Sequence, residues 1–75
     1  MATDEAQKTK LRKLGLRIKS IRMAKGLTLL ELSYEVDKDP QSISRVEMGK
    51  SNPSYLYLLK ICEGLKADIN ELLTD

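Results

Sequence analysis

The stretch Asp39-Pro-Gln-Ser-Ile-Ser-Arg-Val-Glu-Met-Gly49 constrains the fold most, because it both starts and stops a helix within a short span. Asp39 is an N-cap residue type, able to accept from the first free backbone N–H groups. Pro40 follows at the first helical position, where its missing N–H costs nothing. Gly49 supplies the left-handed residue that ends the helix. Within these limits two faces separate at helical spacing. Ile43, Val46 and Glu47 form a mostly apolar face that must dock on a core. Gln41, Ser44, Arg45 and Met48 form a second face, too polar to bury. Such a face is either ordinary solvated surface or a reading face, since Gln and Arg are side chains that contact base edges bidentately.

The flanking sequence repeats the helical pattern. Leu11, Leu14, Ile18 and Ile21 give one apolar stripe, so a first helix is expected from about residue 8 to Lys25, closed by Gly26. Residues 1–7 are polar and expected to be frayed. Thr28 and Glu31 have capping-box spacing and open a second helix to about Val36. Asp37, Lys38 and Asp39 make a tight wet turn, with Asp37 suited to a left-handed conformation. Ser54 can cap a fourth helix from Tyr55 to about Leu65, whose inner stripe reads as Tyr55, Leu58, Leu59 and Cys62, with Ile61 and Leu65 beside it. Asp68 and Glu71 repeat the capping-box spacing and open a last short helix. No segment alternates with period two, so the expected fold class is all-α with five helices.

Composition narrows the chemistry. The chain has 75 residues, one Cys and no His. One small domain is the most this length holds. Without His or a second Cys, zinc has no ligand cluster and a catalytic triad no base, which leaves only Lys or carboxylate chemistry open. With no nucleophile–base set or phosphate loop in the sequence, no metal, no cofactor and no enzyme is expected. Cys62 reads as a small buried hydrophobe. No run is long and apolar enough for a membrane span, and the polar start does not resemble a signal peptide. A cytoplasmic, nucleoid-associated location is expected.

Net charge is +2, but residues 8–25 hold eight Lys and Arg and no acid. A basic element on a near-neutral domain fits a nucleic-acid partner. It fits a well-solvated amphipathic helix equally. The run from Lys8 to Lys13 reads either as an arm across a phosphate backbone or as the outer side of the first helix.

Two short helices, 28–36 and 40–48, joined by a three-residue turn form a helix-turn-helix unit. From Gly15 to Leu73 the chain resembles the Cro/phage-repressor-type (XRE-like) helix-turn-helix DNA-binding family. The resemblance rests on Arg17-Ile18 and Arg22, Lys25-Gly26-Leu27-Thr28, Glu31-Leu32, Ile43-Ser44-Arg45-Val46-Glu47 and Gly49-Lys50. Asn52-Pro53-Ser54, Leu58-Leu59-Lys60-Ile61 and residues 68–73 continue it. It implies a compact five-helix lambda-repressor-like domain over residues 8–75.

By that resemblance Pro40, Gln41, Ser44 and Arg45 would reach base edges. Arg17, Thr28, Ser42, Lys50, Ser51 and Asn52 would touch phosphates. Arg22 and Glu47 match a structural ion pair between the first helix and the reading helix. Leu56, Tyr57, Ile69 and Leu73 would form the surface of a homodimer on a near-palindromic operator. The function implied is a sequence-specific DNA-binding regulator of transcription. The chain departs from the family pattern at Leu29, where Gln is frequent, and at Leu30, where a polar residue is common. These two leucines leave open a second reading, a protein-interaction module of antitoxin-like or polymerase-associated kind.

Overall fold

Each helix begins and ends where local chemistry allows it. In the computed structural model, which describes residues 2–73, α1 spans Ala2–Ala24, α2 Leu29–Val36, α3 Pro40–Glu47, α4 Tyr55–Leu65 and α5 Ile69–Leu73. No strand occurs among the described residues. The expected start of α1 near residue 8 is corrected to Ala2. Alanine is the best helix former, and Asp4 and Glu5 lie in the first turn, where negative charge complements the helix dipole. Thr9 Oγ1 also donates to the Glu5 carbonyl at 3.0 Å.

The caps follow the sequence closely. Thr28 and Glu31 form a reciprocal capping box, with Glu31 N–H donating to Thr28 Oγ1 at 3.0 Å and Thr28 N–H to Glu31 Oε1 at 2.9 Å. Ser54 Oγ accepts from Tyr57 N–H. Asp68 N–H donates to Glu71, while Asp68 Oδ1 accepts from Asn70 N–H. Asp37 ends α2 in the left-handed region at φ 54°, and Lys66 ends α4 at the same φ. Lys25 Nζ donates to the carbonyl of Lys66 at 3.3 Å, which ties the end of α1 to this strained turn.

The four helices after α1 have 5 to 11 residues, too short to stand alone, so their apolar faces converge with that of α1 on one core. Ile18, Leu32, Val36, Ile43, Ile61 and Leu65 are fully buried there, with Val46, Leu58, Cys62 and Leu72 nearly so. The α4 stripe is thus Leu58, Ile61, Cys62 and Leu65. Tyr55, expected in the core, is 61% exposed. It is the first residue of α4, so the inward stripe starts one turn later, at Leu58.

α1 crosses α3 at Gly15. A Cβ there would run into the backbone carbonyls of Val46 and Glu47. One turn earlier, Arg12 Cα lies 2.9 Å from where a Gly49 Cβ would stand. The two helices meet backbone to backbone, and this contact fixes how α3 sits on the domain. Gly15→Ala gains helix propensity but must push α1 from α3. A net loss of about 1–3 kcal/mol is expected in urea unfolding, as for other overpacked contacts; a stability equal to the parent would mean that the crossing is loose.

Candidate nucleic-acid interface

The reading helix is held from inside. Ile43, Val46 and Glu47 face the core as the spacing requires. Glu47 is the unusual member, a carboxylate only 6% exposed. It accepts from Arg22 Nε at 2.7 Å and from Arg22 Nη2 at 3.1 Å, a bidentate pair. Arg22 Nη1 donates to the Leu27 carbonyl at 2.7 Å. One buried guanidinium therefore joins the end of α1, the turn into α2 and the end of α3. The ion pair expected between Arg22 and Glu47 is present in this geometry.

The outer face carries what the inner face cannot. Gln41 and Arg45 are exposed, and Ser44 and Pro40 are half-buried. Among the described residues, neither the Gln41 nor the Arg45 side chain has a hydrogen-bond partner within the protein. Asp39 holds the N-cap position, but its carboxylate makes no capping bond, contrary to expectation. Lys38 Nζ lies 5.3 Å from the centre of the Tyr57 ring, a cation–π distance, so this turn leans on α4. Ser42 and Tyr57 also share a hydrogen bond of 2.8 Å between their hydroxyls.

The remaining expected phosphate contacts divide. Lys50, Ser51 and Asn52 follow α3 directly, with Lys50 N–H bonded to the Arg45 carbonyl at 2.9 Å. Thr28 stands at the head of α2, and its neighbour Leu29 lines the same groove as Ser44 and Lys50. Arg17 lies elsewhere, in a cleft with Lys10, Lys13, Leu72 and Leu73 on the α5 side of α1. The α1 cations that share the groove with Lys50 and Ser44 are Arg12 and Lys19. Sequence reasoning did not single these out. The available signal was their helical register with Gly15 and Arg22, at i, i+3, i+7 and i+10, which puts both on the face that meets α3.

Two pKa shifts have clear causes. The Glu31 carboxyl is held below its ordinary value, first by the Thr28 backbone N–H and then by the Thr28 hydroxyl. Its contribution to the cap is complete above the unfolded carboxylate range and is lost as pH falls through the lowered folded value. The Cys62 thiol is pushed up by burial, then by the charges of Asp68 and Glu71. It stays protonated at neutral pH and is a poor nucleophile.

Of the expected dimer residues, Leu56 is 75% and Leu73 55% exposed, whereas Tyr57 and Ile69 are partly buried against the core. Leu29 is also packed on the core, while Leu30 points outward.

Residues 18–72 match the helix-turn-helix family model. A comparison with curated protein sequences found no match. Among solved structures, the chain is similar to the restriction-modification controller protein C.AhdI from Aeromonas hydrophila, at 33% identity and a TM-score of 0.83, over 85% of this chain and 97% of that one. It is similar to the clp gene regulator ClgR from C. glutamicum at 31% identity and a TM-score of 0.81, covering 85% and 83%. It also resembles the controller protein C.Esp1396I, solved as a tetramer with its natural 35-base-pair operator, at 32% identity and a TM-score of 0.75, covering 87% and 96%. The chain belongs to the XRE-like helix-turn-helix family and is a DNA-binding regulator of transcription. This family and these structural relatives are regulators rather than enzymes.

Proposed function

We propose that the protein acts as a homodimer that reads a near-palindromic operator in the cytoplasm, one α3 per half-site. The observation that carries this reading is the division of α3. Its inner face is locked by Ile43, Val46 and the buried Glu47. Its outer face presents the exposed Gln41 and Arg45, and Ser44 lines a groove shared with Lys50, Arg12 and Lys19. Pro40, Gln41, Ser44 and Arg45 contact base edges in the major groove. Thr28, Lys50, Ser51 and Asn52 hold phosphates, with Arg12 and Lys19 in the role first given to Arg17. Ser42 helps through its backbone at the head of α3, its hydroxyl being shared with Tyr57. One short helix reads only a few base pairs, so useful specificity takes two copies, with half-sites about 34 Å apart. The operator complex of C.Esp1396I supports the DNA and self-association parts of this reading. No catalytic step is assigned to the chain. Leu29 and Leu30 do not form one patch, so no observation favours the protein-interaction reading.

Fluorescence-anisotropy binding to a randomised duplex pool and to DNA upstream of the protein's own gene, at two salt concentrations, tests the proposal. Selective binding that persists at the higher salt is expected. Weak binding, equal for both DNAs and abolished by salt, would refute it. Arg45→Ala should relax preference at one base position per half-site, by about 1–3 kcal/mol. Lys50→Ala should instead weaken all sequences alike and lower the salt slope by about one per protomer. An Arg45→Ala protein with unchanged preference would remove α3 from its reading role.

A further inference from the structure

The groove between α1 and α3 is larger and more apolar than a phosphate contact requires. It is a half-open groove of about 530 Å³. Its lining includes the apolar side chains of Leu16, Leu29 and Met48 and the cations Arg12, Lys19 and Lys50. Leu16 is 63% exposed and Met48 is also exposed, although both are large and apolar. Arg22 and Glu47 reach the groove but are engaged with each other. Among the described residues, none of Arg12, Lys19 and Lys50 has an ion-pair partner. An apolar concavity of a few hundred Å³ with a small number of convergent charged groups is the usual form of a small-molecule site. A DNA phosphate would satisfy the cations and leave the apolar side chains against water. A ligand that satisfies both parts has an anionic head and an apolar body.

We infer that this groove binds a small amphiphilic carboxylate, its headgroup on Arg12, Lys19 and Lys50 and its apolar body on Leu16, Leu29 and Met48. Bound there, it occupies the space beside Ser44 and neutralises Lys50, so it competes with DNA. The binding stands on the groove alone; the competition rests on the DNA reading proposed above.

The probe is octanoate, with acetate as the headgroup without the body and 1-octanol as the body without the charge. Amide shifts are followed by NMR on the full chain without DNA. Octanoate should give saturable shifts at Leu16, Leu29, Met48 and Lys50, and neither control should saturate over the same range. Leu16→Gln changes an exposed side chain and should weaken octanoate about tenfold, the loss expected when a leucine's apolar contact is removed. Lys19→Gln tests the headgroup and should weaken octanoate without making 1-octanol bind. Shifts spread evenly over Lys8, Lys10 and Lys13, or affinity unchanged in both variants, would overturn the site. In the anisotropy assay, octanoate should release DNA from the parent, and from Leu16→Gln only at about tenfold higher concentration. Saturable octanoate binding with no DNA binding in its absence would fault the DNA reading and leave the site standing. DNA binding that octanoate never disturbs, despite saturation, would overturn the competition.

Discussion

Glu47→Ala is expected to leave much of the protein unfolded at physiological temperature. The carboxylate is 6% exposed and accepts two bonds from a guanidinium that is itself buried. Removing it leaves a nearly buried guanidinium, 8% exposed, without its counter-charge. Breaking a buried pair from one side costs about 3–5 kcal/mol. At roughly 0.05–0.15 kcal/mol per residue, a chain of 75 residues has about 4–11 kcal/mol in total. The loss of about 3–5 kcal/mol is therefore about a quarter or more of the total, and all of it at the lower end of that range. Circular dichroism during thermal and urea unfolding measures it, and a loss below about 1 kcal/mol would mean that Arg22 escapes to solvent. The double change Arg22→Met/Glu47→Leu should recover most of the stability, because well-packed apolar groups often replace a buried pair at little cost. The recovered protein should still select its operator, since neither side chain is assigned to DNA. Loss of selectivity in a stable double variant would show that the pair also sets the tilt of α3.

What was legible in the sequence was local. The caps at Thr28 and Ser54, the left-handed Asp37 and the two faces of α3 each depend on residues within one or two turns, and each is where spacing and side-chain chemistry placed it. What was not legible depends on which element lies against which. Arg17 and Arg12 are equally basic and both lie on α1. Only the packing of α5 on one side of that helix and α3 on the other separates their roles. Tyr55 fits the α4 stripe by spacing, but it is the first residue of the helix and stays 61% exposed. Asp39 has the residue type of a cap and the backbone of one, yet its carboxylate is not engaged. Gly15 is a mild cost within its own helix, and its reason lies in another helix about thirty residues on in sequence, whose backbone leaves no room for a Cβ.

Leu56→Lys combined with Leu73→Lys is expected to give a folded monomer whose affinity for a complete operator falls by about 10²–10⁴. Both side chains are mostly in water in the single chain, at 75% and 55% exposure, so the change costs the fold little. They lie on α4 and α5, which pack together at the end of the chain, and Tyr55 adds a third exposed apolar group beside Leu56. Burying such a surface against a second copy removes it from water, whereas two opposed lysines on each copy repel. The effect on DNA follows from linkage. In a dimer the second α3 binds at an effective concentration set by the first, which multiplies affinity by 10² or more without any new contact. Sedimentation equilibrium gives the assembly state, and anisotropy on duplexes with one and with two half-sites gives the coupling. The parent should prefer the two-site duplex strongly. The double-lysine protein should bind both duplexes with the same weak affinity, equal to that of the parent on a single half-site. If it remains dimeric and keeps the preference, the copies meet through another face. If it is monomeric and binds the two-site duplex as tightly as the parent, α3 acts alone and the near-palindrome is not the determinant of affinity.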